Sequence, residues 1–307
     1  MLKWMFVALL FSSPVMAQVS FKPLNDRIDV IIDGKPFTSF HEGADANKPY
    51  LYPLRTVSGK SVTRGFPMET IPGELTDHPH QRSLWIGAER LNGIDFWENE
   101  PSSDRARRGK IVFQKVLSMH EGKSKGDMTV LASWVSPEGE TLLDETLTLT
   151  FYAATKQNRV LDVSFTLVAK KKVTFEDDHD AILGIRLATP FNEDQGGVVR
   201  NAEGVKGADH VRGTHSPWAD WQADLGGEKI GVAMMDSPKN LRYPTPWHVR
   251  PYGMLFASPF AQHDFSKDLP DGSLTLEAGK SLHMDYRVLI HPADVSVADA
   301  FKEFAGR

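Results

Sequence analysis

Two stretches in the middle of the chain decide the fold: Thr146-Leu147-Thr148-Leu149-Thr150-Phe151 and Leu161-Asp162-Val163-Ser164-Phe165-Thr166-Leu167. In each, apolar and polar residues alternate. Successive side chains of a strand point to opposite faces, so Leu147, Leu149 and Phe151 share one face and the threonines share the other. A surface helix would instead repeat its apolar residues every three or four positions. Just upstream, Val130, Ala132 and Trp134 alternate with Thr129, Leu131 and Ser133. Turn-forming residues separate these runs at Glu121-Gly122, Lys125-Gly126, Pro137-Glu138-Gly139 and Gln157-Asn158. Strands so spaced predict an all-β, antiparallel β-sandwich.

Working outward, the pattern persists. Ile28-Asp29-Val30-Ile31-Ile32 meets the turn Asp33-Gly34, and Pro36-Phe37-Thr38 resumes as a hairpin. Further strands are expected at 182–188, 230–235 and 274–276. Met284, Tyr286, Val288 and Ile290 mark a last one. A short C-terminal helix follows, capped by Ser296, with Val297, Phe301 and Phe304 on one apolar stripe. Two long loops stand out. Residues 41–75 carry Tyr50, Tyr52, Arg55 and Arg64. A Gly-rich excursion over 196–227 carries His210, Arg212, His215, Trp218 and Trp221. Long loops on a rigid sandwich are where binding residues tend to sit. No repeat or linker interrupts the pattern, so one domain is expected over 18–307.

Residues 1–17 read as a signal peptide. Lys3 gives the positive start, 4–11 the apolar core, and Val15-Met16-Ala17 the small-residue cleavage site. Export is therefore expected, into a bacterial periplasm. No later stretch offers the ~18 apolar residues of a membrane span. The 307-residue chain has a net charge of −5, which argues against a nucleic-acid partner. It has no cysteine, which excludes disulfides, thiolate nucleophiles and iron–sulfur clusters. The oligomeric state is left open.

The densest chemistry lies at 76–97. Asp77, His78, His80 and Arg82 fall within six residues. Pro79 should hold His78 extended, which would put His78, His80 and Arg82 on one face. Three readings are open. The imidazoles with Asp77 could hold a divalent metal. They could act as general acid and base, with Arg82 holding an oxyanion. Or the group could brace a buried loop. Far downstream, Trp247-His248-Val249-Arg250-Pro251-Tyr252 again places His248, Arg250 and Tyr252 in one parity, and the two stretches are expected to share a cleft. Asp177-Asp178-His179-Asp180 is an acidic cluster that could be a solvated turn or a carboxylate partner for a histidine. Arg105-Ala106-Arg107-Arg108 is a basic run, either a solvated loop or an acidic-glycan contact.

These motifs resemble the bacterial proteins labelled "PmoA family" or "methane oxygenase". The resemblance rests on Val62-Thr63-Arg64-Gly65-Phe66-Pro67, Asp77-His78-Pro79-His80, Asn92-Gly93-Ile94-Asp95-Phe96-Trp97, Gly184-Ile185-Arg186, Trp218-Ala219-Asp220-Trp221 and Pro244-Thr245-Pro246-Trp247-His248-Val249-Arg250. It implies a β-sandwich and a setting in sugar catabolism. One departure is His179-Asp180, where a Glu is expected before the Gly-Ile-Arg strand; the shorter carboxylate puts a base role there in doubt. The run from Leu276 to Val288 more weakly resembles galactose-mutarotase-like sandwiches.

The leading expectation is a carbohydrate-processing enzyme, an epimerase, lyase or hydrolase, using His78, His80, Arg82, His248 and Arg250. Arg64, Trp218, Trp221, Trp247 and Tyr252 would bind the sugar. A divalent metal at His78, His80 and Asp77 is left open. The alternatives are a non-catalytic glycan-binding protein with an aromatic groove and a metal-dependent oxygenase.

Overall fold

The computed structural model describes residues 18–104, 106–153 and 158–307. The expected signal peptide lies outside the described residues, as does Arg105 of the basic run.

Five strands come first: β1 (Val19–Pro23), β2 (Arg27–Ile32), β3 (Lys35–His41), β4 (Tyr50–Tyr52) and β5 (Leu84–Ala88). Four long ones follow: β6 (Lys110–His120), β7 (Lys125–Val135), β8 (Thr141–Tyr152) and β9 (Arg159–Ala169). Then come β10 (Val173–Phe175), β11 (Ala181–Arg186), β12 (Val198–Asn201), the single-turn helix α1 (Ala208–Val211), β13 (Trp218–Asp224) and β14 (Lys229–Asp236). The chain continues through β15 (Trp247–Arg250), β16 (Met254–Ala257), β17 (Leu274–Leu276), β18 (Ser281–Pro292) and helix α2 (Val297–Ala305).

Two eight-stranded sheets result. The first runs β1-β2-β3-β4-β5-β11-β16-β15 and the second β12-β13-β14-β18-β9-β8-β7-β6, while β10 and β17 form a separate ribbon. The ladders are antiparallel. The fold is the antiparallel β-sandwich that the alternation predicts. Inward residues of β8 meet the first sheet edge-on: Phe151 lies 5.8 Å from Phe21 and 6.1 Å from Phe37 between ring centroids. Trp134 on β7 packs 5.0 Å from Phe96. Each such buried side chain contributes roughly 1.5–3 kcal/mol.

The helix α2 docks as its stripe implies. The Ser296 hydroxyl accepts from Asp299 N at 3.2 Å. Val297 and Phe304 pack on Trp218, Ala233, Met235 and Leu289 of the second sheet's outer face. Among the described residues, no helix is long and apolar enough to cross a membrane.

Three expectations need correction. The loop over 41–75 contains a strand, β4. The Gly-rich excursion contains two, β12 and β13, so Trp218 and Trp221 stand on a strand and not in a loop. The segment before β5 is not extended: His78 has φ 46° and Ser83 φ 57°. A tight turn holds it, with the His78 carbonyl accepting from Gln81 N at 3.0 Å and from Arg64 Nη2 at 2.9 Å.

Candidate functional site

The first sheet positions the site through register. Across neighbouring strands one row reads Tyr50, Trp85, Gly184, Phe256 and His248. The next row reads Arg186, Met254 and Arg250. Leu84, Ile86, Leu183, Ile185, Leu255, Val249 and Trp247, of opposite parity, fill the core between the sheets. The face carrying His248, Arg186 and Arg250 therefore points away from the sandwich interior. It is roofed by the stretches on either side of β5, residues 76–83 and 96–100. Trp97 lies against Trp85 and Phe256, at centroid distances of 5.0 and 4.6 Å. Glycine is required beneath it: a Cβ on Gly184 would sit 2.8 Å from the Trp97 ring and 2.9 Å from Phe256.

At one edge of this face Asp77 and His78 form a dyad. His78 Nδ1 donates to Asp77 Oδ2 at 2.6 Å. The other carboxylate oxygen takes Arg64 Nη1 at 2.6 Å and Arg186 Nη2 at 3.4 Å. Burial acts to raise the Asp77 carboxyl, but Arg186, His78 and Arg64 together hold it below its ordinary range. Both arginines are buried, and burial beside Arg64 draws Arg186 down to about 10. His78 itself is half-exposed and stacks on Tyr252 at 5.5 Å. Arg186 lies 4.1 Å from the same tyrosine ring and donates to Gln81 Oε1 at 2.6 Å. Asp77 thus fixes one tautomer and leaves His78 Nε2 for chemistry.

Arg82 and His80 have other surroundings. Glu100 grips Arg82 in a bidentate pair, Nε to Oε1 at 3.1 Å and Nη2 to Oε2 at 2.9 Å. Asp45 and the Tyr50 hydroxyl take Nη1 at 2.7 and 3.3 Å. Buried Lys48 completes the network, bonding Trp97 O and Asn99 Oδ1; burial lowers it to about 8. The Arg82 charge is already balanced, and this network braces the roof. His80 is buried, its Nδ1 3.7 Å from Glu98 Oε1 and its ring edge-on to His78 at 5.6 Å. The oxyanion role expected for Arg82 conflicts with this pairing.

A second cluster lies at the far end of the same face. His179 and His248 have ring centroids 4.2 Å apart. His179 Nδ1 is bonded to Asp264 Oδ2. Asp177 organises the loop that delivers Asp264: its carboxylate accepts from Gln262 N, His263 N, Asp264 N and Gly272 N. His248 is buried and its Nδ1 has no hydrogen-bond partner. Burial, His179, Arg212 and Arg250 keep its imidazole neutral by holding it well below the ordinary range. Asp180 is pushed the other way, by burial and by Glu89 and Asp178. Tyr252 links the clusters, since Arg186, Arg250 and Asp180 all act electrostatically on its phenol.

The metal set expected at His78, His80 and Asp77 does not converge, because the Asp77 oxygens are taken by Arg64, Arg186 and His78. Among the described residues, the sets close enough to share an ion are His179/Asp180/His248 and Glu89/Asp178/Asp180.

A family model described as "Family of unknown function (DUF6807)" matches residues 27–305. The chain belongs to that family. The match spans both clusters, so the DUF6807 unit includes the whole face described above. No curated protein matches the chain. Solved structures are similar to it as well, among them three as follows. One is a beta-arabinopyranosidase, at 10% identity and TM-score 0.32, over 91% of this chain and 38% of that one. Another is a GalM/aldose epimerase homologue from C. elegans, at 9% and 0.35, over 90% of this chain and 100% of that one. A galactose mutarotase related enzyme from Lactobacillus acidophilus gives 9% and 0.32, over 91% and 100%. The chain thus spans well under half of the first. At this identity the likeness concerns the β-sandwich fold alone.

The tryptophans of this DUF6807 chain are elsewhere than expected. Trp247 faces the inter-sheet core and donates to Ser216 O at 2.8 Å. Trp221 is fully buried there too, and Trp218 lies under α2. None of the three has an open ring face for a sugar. Arg64 reaches the site only through Asp77 and His78. Arg250 is exposed and Tyr252 is partly exposed. Of the basic run, Arg108 binds Glu100 O at 2.7 Å, and Arg107 pairs with exposed Glu138 at 3.6 Å. Sequence reasoning missed Asp264, Gln81 and the anchoring role of Arg186. Only His179-Asp180, next to the Gly-Ile-Arg strand, gave a local signal.

Proposed function

We propose that this protein is an exported carbohydrate-processing enzyme, related to the proteins labelled "PmoA family", that moves a proton on a sugar bearing a keto or carboxylate group. The Asp77–His78 dyad carries this reading. A half-exposed imidazole, oriented by a carboxylate that two buried guanidiniums keep ionised, is an acid–base catalyst in form. His78 Nε2 takes a proton from carbon or hydroxyl, and the Asp77 carboxylate stabilises the imidazolium that results. Arg250, exposed on the same face, supplies positive charge for the enolate or carboxylate oxygen. Tyr252 sits between them, its ring stacked on His78 and against Arg186, so that it holds the imidazole in position.

Proton abstraction next to a carbonyl underlies both epimerisation and β-elimination, so these outrank hydrolysis. The glycan-binding alternative needs open aromatic rings. The six tryptophans among the described residues are all at most 7% exposed, which weighs against such a groove.

The test is a panel of hexuronates, ketohexoses and their disaccharides incubated in D2O and followed by proton NMR. Wild-type protein should exchange or remove a C–H proton in at least one member. His78→Gln should slow this by about 10²–10⁴-fold with an unchanged melting temperature. Equal rates for the two proteins would defeat the dyad's role.

A further inference from the structure

We propose that His179, Asp180 and His248 form a binding site for a first-row divalent metal ion, distinct from the Asp77–His78 dyad. Two histidines and one carboxylate present ligand atoms within 4.8 Å of one another. Shifts of an ångström or so would bring them to the roughly 2.1 Å that such an ion requires. The set is mixed nitrogen and oxygen, which suits zinc, manganese, cobalt or iron(II) over calcium or magnesium.

Two observations separate this from an ordinary polar cluster. The first is His248. It is 2% exposed, and its Nδ1 finds no hydrogen-bond partner in a protein interior where buried polar atoms are normally paired. The second is the orientation of His179. Its Nδ1 is bound to the Asp264 carboxylate, which leaves Nε2 with the free lone pair. A carboxylate behind an imidazole is the support that metal-binding histidines usually have. Asp264 is held in place by a loop cross-linked through Asp177, so the support is built in. The neighbouring charges fit a metal that also takes an anionic ligand. Glu89 and Asp178 add negative charge beside Asp180, while Arg212 and Arg250 lie near His248.

The position suggests the ion's task. It would lie across Tyr252 from His78 and could bind the sugar's carbonyl or carboxylate oxygen as a Lewis acid. This task rests on the reading given under Proposed function; the site itself does not.

The test uses the full chain after chelation and dialysis. Titration with zinc, manganese and cobalt(II) is followed by calorimetry and by visible absorption of the cobalt form. The expected result is one ion per chain with wild type and with His78→Gln, and at least 100-fold weaker binding with His248→Gln. Asp264→Asn, which keeps all three ligands, should weaken binding about 10–100-fold. It decides the matter if His248→Gln fails to fold. The site is overturned if none of the three metals binds stoichiometrically to wild type, or if both variants bind as wild type does. Binding without turnover of any panel sugar would defeat the sugar reading and leave the site standing. Turnover undiminished by chelation would remove the ion's task.

Discussion

Strands β9 and β11 sit in opposite sheets and are buried differently. β9 alternates buried and half-buried along all eleven residues, whereas β11 buries all six. Where α2 does not cover it, from β7 to β9, the second sheet presents one face to solvent, so its outward threonines, serines and aspartates cost little. The first sheet is covered on both faces at β4, β5, β11 and β16, by the core below and by residues 76–83 and 96–100 above. A polar side chain there must be paired or used. Arg186 on β11 is both: it anchors Asp77 and Gln81 and lies against Tyr252. With the function proposed above, chemistry falls on the first sheet's roofed face and the second sheet's inner face serves stability.

That division can be broken from either side. The largest effect is expected at Asp77→Asn. The His78 ring would stay in place but lose the carboxylate that fixes its tautomer, so kcat/KM should fall about 10²–10⁴-fold. Steady-state kinetics on the responsive sugar will show whether kcat carries the loss. On the stability side, Trp134→Ala removes a fully buried ring and the donor to Glu145 Oε2, a 2.7 Å bond. Urea unfolding should show a loss of about 3–5 kcal/mol, with kinetics per folded molecule unchanged.

A pH series sharpens the same contrast. Burial pushes Glu145 up to about 7, against the lowering effect of its Trp134 bond. The folded state keeps this proton where the unfolded chain, near 4.5, has released it. The stabilisation is therefore fully present below that value and is lost as the pH rises through about 7. Asp236, also raised to about 7 by burial, acts with the same sign. Glu145→Gln should remove on the order of 3 kcal/mol of this pH-dependent change, measured by denaturation between pH 4 and 8. The smallest effect belongs to the wet face. Thr129 and Thr148 share a 2.9 Å hydroxyl bond across β7 and β8. Thr129→Ala should cost less than about 1 kcal/mol.

The same contrast explains what could be read from the sequence. β7, β8 and β9 were legible because a solvated face forces alternation. β4 and β5 hide it: Trp85 and Leu84 are equally buried, so no period appears, whereas β11, also buried throughout, was expected at 182–188. The site was half legible. His78, His248, Arg250 and Tyr252 do occupy one face. The extended geometry drawn from Pro79 was wrong, because side-chain and backbone bonds to Asp77, Arg64 and Gln81 hold a turn instead. Asp264 lies 85 residues from His179, and Glu100 lies 18 from Arg82, partners that no local pattern reveals. The tryptophans misled because a Gly-rich stretch reads as loop even where β13 passes through it.

Methionine methyl NMR tests most directly where ligand binds. Met254 stands on the roofed face, its sulfur 3.5 Å from Gln81 Nε2 and 3.6 Å from the Tyr252 hydroxyl. Met128 and Met284 are buried on the second sheet's inner face. With 13C-methyl methionine and each panel sugar titrated in turn, the Met254 resonance should move with the sugar that is turned over, while Met128 and Met284 stay fixed. A fixed Met254 alongside shifts at Met128 or Met284 would contradict the assignment of chemistry to the first sheet.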